Sequence, residues 1–371
     1  MQKNSRKLWI RSAVLLILGF IIFQIPAILV GYPHIADGYS RQVFPVLSYP
    51  LVRFSSWIPI SLTEWVLYVL LIVVPVAIVV WVVRLVRHPG RGRRLARAVW
   101  VIVVLFFVVS VLYTFMHGIH YSGYSVSERL FDGHREQTAE DLEEICAWLA
   151  REASALRVDL PEDDEGVMVL SEGLSETLVH GSSAMNAAAV DFPFMAGNNA
   201  SGKSVWNSHY WSYTGITGMY MPLLGEANVN TDIPASDLPL TICHELAHVR
   251  GFAREQDANF LGFLSCLYSD RADFRYSGYL FAFRYCMSDL YRADPERHKA
   301  VSAEVDAGIW RDWAADSAYW KQFEGPVQET ATKINDSFLQ ANRQEGVVSY
   351  SRVTELLVEY YHEYVLKGVT P

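Results

Sequence analysis

The stretch that decides both the fold and the chemistry is ICHELAHVRGFAREQDANF, residues 242–260. Two histidines in it, His244 and His248, lie four positions apart on either side of Glu245 and Leu246. On an α-helix, residues four apart lie about 40° apart around the axis and one turn apart along it. Both imidazoles can therefore face one ion, and the spacing predicts a metal site on this helix.

Glu245 follows the first histidine directly and points along the edge of the same helix face. A zinc ion lowers the pKa of a bound water toward neutrality, and a neighbouring carboxylate can accept the proton that leaves. The HExxH pattern thus predicts Zn²⁺ as cofactor, His244 and His248 as metal ligands, and Glu245 as the catalytic base. The pattern alone also occurs in helices without metal, so a third ligand is needed.

The residues after the histidines supply an acid at a suitable distance. Gly251 is predicted to end the first helix in a left-handed turn, so that a second helix begins near Arg254. Glu255 then lies on the first turn of that helix, facing back, and is predicted as the third ligand. Ala258 and Asn259 share its face, where the small alanine lets the helices approach and the amide can orient a histidine ring.

Two alternatives to Glu255 stay open. Asp257 is a rival ligand, but it lies 200° further round the helix, so the two acids cannot both face the metal. Both acids could instead be ordinary charges at a helix N-terminus, where the helix dipole favours them. Arg254 occupies the position that a metzincin would fill with histidine, which argues against that class.

Outside this stretch, three runs of about 19 to 22 apolar residues are each long enough to cross a bilayer core as a helix. These runs are Ser12–Val30, Leu62–Val83 and Ala98–Met116. Lys and Arg cluster before the first run and between the second and third, whereas the loop between the first two has only Arg41 and Arg53. We therefore predict a multi-pass cell-membrane protein with a cytoplasmic N-terminus.

This topology divides the chain into a membrane region with three transmembrane helices, 1–116, and an extracytoplasmic domain, 117–371. The first part has 12 basic and two acidic residues, and the second has 19 basic and 38 acidic residues. Such an acidic domain argues against nucleic acid as a partner. The predicted partners are the lipid bilayer and a peptide or protein substrate.

The predicted fold class is a three-helix transmembrane anchor followed by a mostly α, α+β zinc-peptidase-like extracytoplasmic domain. Apolar periodicity indicates several helices, and they are 137–157, 238–250, 254–268, 278–293, 333–341 and 351–365. GVMVLS at 166–171 is typical of a strand, and GEANVN at 225–230 of an edge strand that could bind a substrate backbone.

Several other residues are weaker candidates. The four cysteines, Cys146, Cys243, Cys266 and Cys286, show no metal-binding spacing and are expected to be buried thiols. Four residues are candidates for stabilising an oxyanion, namely Arg275, Tyr276, Tyr279 and Tyr285. The isolated histidines are expected to be core or surface residues, and they are His117, His120, His134, His180 and His209.

Three longer runs carry a resemblance to a known family. They are 215–266, which contains the histidine motif, FRYSGYL at 274–280, and INDSFLQANRQEGVVSYSRV at 334–353. In these runs and in its three apolar spans, the chain resembles a bacterial family of membrane-anchored, predicted zinc metallopeptidases catalogued as domain of unknown function 3810. The E-x-x-A-N spacing at 255–259 also resembles the glutamate-type zinc peptidases, the gluzincins.

The resemblance implies a membrane-attached zinc peptidase with no known substrate. The leading hypothesis is a hydrolase that cuts peptide bonds outside the cell. The alternative is a non-catalytic, zinc-stabilised sensor or binding ectodomain that signals through the spans. An intramembrane protease is disfavoured, because polar stretches flank the motif on both sides.

Overall fold

The computed structural model describes residues 2–87, 90–133, 137–346, 348 and 352–369. Its helices, in chain order, are α1 (Gln2–Phe23), α2 (Ile25–Leu29), α3 (Pro33–Gly38), α4 (Phe44–Ser56), α5 (Leu62–Arg87), α6 (Arg91–Met116), α7 (Val126–Leu130), α8 (Ala139–Arg157), α9 (Leu174–Asp191), α10 (Ser208–Ser212), α11 (Leu238–Val249), α12 (Glu255–Leu267), α13 (Ala272–Ala293), α14 (Pro295–Ser302), α15 (Ala307–Lys321), α16 (Pro326–Ala341) and α17 (Val353–Tyr360). The strands are β1 (Gly202–Ser204), β2 (Gly218–Met221) and β3 (Glu226–Val229). The predicted mostly helical fold with a small sheet is confirmed.

Three stretches of helix are long and apolar enough to cross a membrane. The first is Lys7–Leu29, which comprises most of α1 together with α2; the second is α5, and the third is α6. This confirms the three apolar spans. Pro26 has no amide hydrogen and lies at the start of α2, which explains why the first span is divided at Gln24. α1 packs against α6, with Gly19 close to Phe106. α5 is exposed along its whole apolar length, a surface that a bilayer would cover.

The segment between the first two spans folds against the domain that follows the third. It contains α3, a π-helical turn at Tyr39–Val43, and α4. The guanidinium of Arg41 donates to the carbonyls of Phe194 (3.1 Å) and Gly251 (2.8 Å) and lies 4.1 Å from the ring centroid of Phe252. The apolar spans on either side predict that this segment belongs to the membrane region, but it also packs against the domain.

The predicted helices of the domain are present, with changes at their ends. α8 begins after Thr138, which caps it with two reciprocal hydrogen bonds. The Thr138 hydroxyl accepts from the backbone amide of Asp141, and the Asp141 carboxylate accepts from the backbone amide of Thr138. α13 and α16 begin six and seven residues earlier than periodicity indicates. The last helix is α17, followed by a π-helical turn at Tyr361–Val365; the predicted start at Ser351 lies outside the described residues.

The sheet has the strand order β1–β3–β2, with β1 parallel and β2 antiparallel to β3. The prediction that GEANVN forms an edge strand is therefore wrong, because β3 is paired on both sides and fully buried. The free edge nearest the histidine helix belongs to β2 instead. GVMVLS is also not a strand: Met168 makes one isolated bridge to Glu162, and the Met168 amide donates to the Asp312 carboxylate.

α12 forms the centre of the domain core. All its residues from Asp257 to Leu267 are buried, and α9, α11 and α13 pack around it. A helix covered on every side is held rigidly by its neighbours, since protein interiors are close-packed. The four cysteines are also buried in this core and form no disulfide, as expected. The two helices of the histidine motif thus belong to the buried core of the domain.

Candidate metal centre

The two motif helices form a tight hairpin. α11 ends at Val249, and Gly251 follows with a left-handed φ of 83°. The Phe252 amide donates back to the Ala247 carbonyl at 3.1 Å, which satisfies an end carbonyl of the helix. α12 then begins at Glu255, as the sequence predicts. Only glycine adopts this turn without strain.

The hairpin brings His244, His248 and Glu255 together. The two Nε2 atoms are 3.1 Å apart, and Oε2 of Glu255 lies 3.3 Å from Nε2 of His244 and 3.6 Å from Nε2 of His248. Among the described residues, this is the group of histidine and carboxylate side chains whose geometry could hold a metal ion. The three predicted ligands therefore face one point.

Both histidine rings are held by their other nitrogen. Nδ1 of His244 lies 2.8 Å from Oδ1 of Asn259, and Nδ1 of His248 lies 2.6 Å from the carbonyl oxygen of Phe252. Because these partners are acceptors, each Nδ1 carries a hydrogen, and each Nε2 is the nitrogen left to face a metal ion. The two Nε2 atoms and the Glu255 carboxylate therefore converge on one point, an arrangement that a cation stabilises.

The charges of the group are strongly coupled. Burial acts to lower the pKa of His248, but the facing Glu255 carboxylate outweighs it and raises that pKa to about 9. Burial acts to raise the pKa of Glu255, and the two histidines reverse this and hold it below its ordinary value. Glu255 is therefore a carboxylate at neutral pH, the form that binds metals.

The spacing of the three atoms fits zinc. Ligands bound tetrahedrally at about 2.0–2.1 Å lie roughly 3.3–3.4 Å from one another. The observed separations of 3.1, 3.3 and 3.6 Å bracket that value. Two nitrogens and one carboxylate oxygen are also a donor set found in catalytic zinc sites, which keep a fourth position for water. The residues present therefore fit a zinc ion.

Glu245 lies beside this group with one carboxylate oxygen unpaired. The Tyr220 amide of β2 donates to the carboxylate, while Oε2 is buried without a hydrogen-bond partner among the described residues. Burial raises the pKa of Glu245 above its ordinary value. A buried carboxylate oxygen without a donor is costly unless a water or substrate group supplies one. This orphaned oxygen is the position expected for a proton acceptor.

Asp257 is directed away from the group. Its Oδ1 accepts from the Val126 amide at 3.3 Å, and its Oδ2 lies 3.6 Å from the Arg254 guanidinium. The geometry therefore places Glu255, and not Asp257, beside the histidines. The small residues matter as the sequence suggests: Ala258 is fully buried, and a Cβ added to Gly262 would lie 3.3 Å from the His244 amide nitrogen.

Sequence reasoning did not connect three residues with the centre. A row of ring contacts runs from His248 through Tyr220 and His117 to Phe338, with successive centroids 6.3, 5.9 and 6.4 Å apart. Burial lowers the pKa of His117 to about 3, so this ring is neutral. The one available signal was that His117 follows the third span directly.

Gln344 was also missed. Its Oε1 accepts from the Glu255 amide at 3.1 Å, so its side chain caps the start of α12, and its Nε2 is buried without a partner among the described residues. Two residues earlier, Asn342 accepts a hydrogen bond from the Tyr113 hydroxyl in the last turn of α6. The chain after α16 thus connects the third span to Glu255.

The four oxyanion candidates are engaged elsewhere. Tyr276 donates to Asp312, Arg275 donates to the Ser269 carbonyl, and the rings of Tyr279 and Tyr285 pack on Trp148 and Phe281.

Among the described residues, the isolated histidines other than His117 also make their hydrogen bonds outside the group of His244, His248 and Glu255. Nδ1 of His120 shares a hydrogen bond with the Ser40 hydroxyl, and Nε2 of His180 shares one with the Ser269 hydroxyl. Nδ1 of His209 pairs with the Asp232 carboxylate. His134 lies outside the described residues.

The molecule is thus a protein with three apolar, span-length helices and a helical domain that holds a buried cluster of two histidines and a glutamate. Over residues 39–358 it matches the model of the family described as Protein of unknown function (DUF3810). The chain belongs to that family, as its resemblance predicts. No match was found among the curated proteins or the solved structures. The family's description names no activity, so zinc and peptide cleavage remain predictions.

Proposed function

We propose that this protein is a membrane-anchored, zinc-dependent peptidase whose catalytic domain lies outside the cell. The observation that carries the proposal is the convergence of two Nε2 atoms and a carboxylate oxygen beside the unpaired Oε2 of Glu245. His244, His248 and Glu255 would hold the ion. A purely structural site needs no neighbouring base, whereas a hydrolytic site does.

Zinc, when bound there, would lower the pKa of a water molecule and polarise the carbonyl of the scissile bond. The chain's own contribution is the placement of a proton acceptor. Oε2 of Glu245 accepts a proton from the attacking water and can return it to the leaving amine. Burial raises the pKa of this carboxyl, which makes its carboxylate a stronger base than an exposed one.

A non-catalytic sensor remains the second candidate, and one observation favours it. The row of ring contacts runs from the metal-ligand candidate His248 through Tyr220 to His117, the first residue after the third span. A change at the centre could therefore reach the span through contacting side chains. An intramembrane protease is disfavoured, because α11 and α12 are not among the described helices that could cross a membrane.

The proposal is tested by incubating the purified full-length chain with a randomised peptide library in detergent. The zinc-loaded protein is expected to cut the peptides, chelation should abolish cleavage, and readdition of zinc should restore it. Mass spectrometry of the products measures all three states. Cleavage that survives complete removal of metal would contradict a zinc-dependent mechanism, and intact peptides under zinc-loaded conditions would favour the sensor.

Gly218 gives a second, local prediction. A Cβ added there would lie 2.7 Å from Cγ of Glu245, so the Gly218→Ala substitution must displace the carboxylate. A displacement near 1 Å costs about 100-fold in rate, and we expect a 10- to 100-fold loss of cleavage with unchanged zinc content. The matched control is Gly133→Ala, where nothing lies within 4 Å of the added atom. Equal rates for the two variants would show that Glu245 does not act from this position.

A further inference from the structure

The second apolar span is fixed directly to the sheet beside the candidate metal centre. Glu226, the first residue of β3, accepts from the backbone amides of Leu62 (3.2 Å) and Thr63 (2.9 Å) at the start of α5. The Lys203 ammonium on β1 donates to the same carboxylate at 2.7 Å, and Ser61 donates to Asn228 at 2.6 Å. These buried contacts leave no linker between span and sheet.

The third span ends at the centre itself. His117 follows Met116, the last residue of α6, and its ring contacts Tyr220, which stacks on His248. Because the two centroid separations are 5.9 and 6.3 Å, the rings of His117 and His248 are at most about 12 Å apart. An extended chain rises about 3.3 Å per residue, so this distance corresponds to roughly four residues of a bound peptide.

Large aromatic side chains lie at the start of the second span and in the segment that contacts it. Trp206 stacks on Trp65 of the first turn of α5, with centroids 6.3 Å apart and rings nearly parallel at 8°. The Glu64 carboxylate fixes this contact by accepting from the Trp206 amide at 2.8 Å. Trp57, Trp206 and Tyr210 are 70%, 74% and 69% exposed. Exposed Trp and Tyr at the level of span ends are typical of the membrane interface.

From these contacts we infer that the domain rests on the bilayer surface through an aromatic face (Trp57, Trp65, Trp206 and Tyr210), so that its substrate is a polypeptide tethered to the same membrane. We infer the bilayer as the partner of this face because the face is continuous with an apolar span: Trp65 belongs to that span, and Trp206 stacks on it. The substrate part rests on the proposed peptidase function. A tethered chain would be cut close to its membrane anchor, within roughly four to eight residues.

A tether also changes the rate in a predictable way. A peptide confined to the surface beside the centre has an effective concentration that can reach the millimolar range. A free peptide at micromolar concentration has no such advantage. Tethered substrates are therefore expected to be cut roughly 100-fold faster than the same sequences in solution.

The position of the aromatic face can be tested without any activity. The full chain is reconstituted into vesicles of phosphatidylcholine and phosphatidylglycerol, with a fluorophore on Tyr210→Cys or, as matched control, on the exposed Tyr291→Cys. The four native cysteines are fully buried and should not react in the folded protein. Lipids brominated near the headgroup should quench the probe at residue 210 and not that at residue 291. Equal quenching, or none at 210, overturns the inference.

The substrate is tested in the same vesicles, loaded with zinc, with one randomised peptide library offered either free or attached through a single lipid anchor. Faster cleavage of the anchored form, with cuts near the anchor, is the expected result. Equal rates for the two forms overturn the tethered substrate while leaving the peptidase proposal intact. If neither form is cut, the proposed function itself fails, and the quenching result still decides whether the domain rests on the bilayer.

Discussion

Replacing Glu245 by glutamine is expected to reduce peptide cleavage about 1,000-fold, since a positioned general base contributes about 10²–10⁴ in rate. The amide keeps the size of the side chain but cannot accept the proton of the attacking water. Because Glu245 is not among the three ligand candidates, zinc content and thermal stability should change little. Initial rates on a cleaved library peptide measure the effect.

The matched control for this variant is Glu304→Gln, an exposed acid in the turn after α14. It should cleave at the wild-type rate. If Glu245→Gln also retained that rate, the orphaned Oε2 atom would have no catalytic role. Loss of zinc together with loss of cleavage would instead make Glu245 part of the metal-binding group.

Replacing Glu255 by alanine is expected to weaken zinc binding by more than 100-fold. Even the loss of an outer partner of a metal-bound histidine costs about 10- to 100-fold, and Glu255 contacts both histidines directly. Asp257→Asn should bind zinc like the wild type, because Asp257 pairs with Arg254 and the Val126 amide. Competition with a zinc-binding dye measures both affinities on full-length protein.

The pair of variants separates the two acids that sequence alone left as rivals. If Asp257→Asn lost zinc and Glu255→Ala kept it, the ligand would be the other carboxylate and the hairpin geometry would be misassigned. Should neither change matter, His244 and His248 would bind metal without an acid from this segment. Unfolding curves on both proteins show whether a loss of zinc follows from a loss of fold.

The sequence predicted the features whose causes are local. The left-handed Gly251 and the start of α12 follow from the chemistry of helix ends, and both are present. The histidine spacing places two rings on one helix face whatever surrounds the helix. The spans follow from uninterrupted apolar length, since few charges interrupt them. Each of these depends on residues within one or two turns of one another.

What the sequence did not show depends on contacts between distant segments. The sequence predicts an edge strand at 225–230, but that strand lies inside the sheet, where Lys203 and the start of α5 satisfy the Glu226 carboxylate. Gln344 reaches Glu255 across 89 positions, and His117 meets Tyr220 across a similar gap. The spacing of apolar residues does not predict such long-range contacts, because they depend on how the helices and strands pack together.

The segment between the first two spans shows the same limit. In the sequence, Arg41 and Arg53 bear only on membrane orientation, as the two positive charges of this loop. The residues around Arg41 do not indicate that its guanidinium donates to the Gly251 carbonyl at the turn of the motif. The division at residue 116 follows the composition, which is apolar and basic before that residue and acidic after it. Experiments should nevertheless use the full chain, because residues 33–63 supply hydrogen bonds to both the turn and the sheet.

The most direct test of the central claim is the zinc K-edge absorption spectrum of the full-length chain, purified with zinc and counted for metal. The account predicts one zinc per chain, with nitrogen and oxygen ligands at about 2.0–2.2 Å and no sulfur. It also predicts that the His244→Ala/His248→Ala double variant holds no zinc. A metal-free wild-type protein, or sulfur ligands near 2.3 Å, would contradict it.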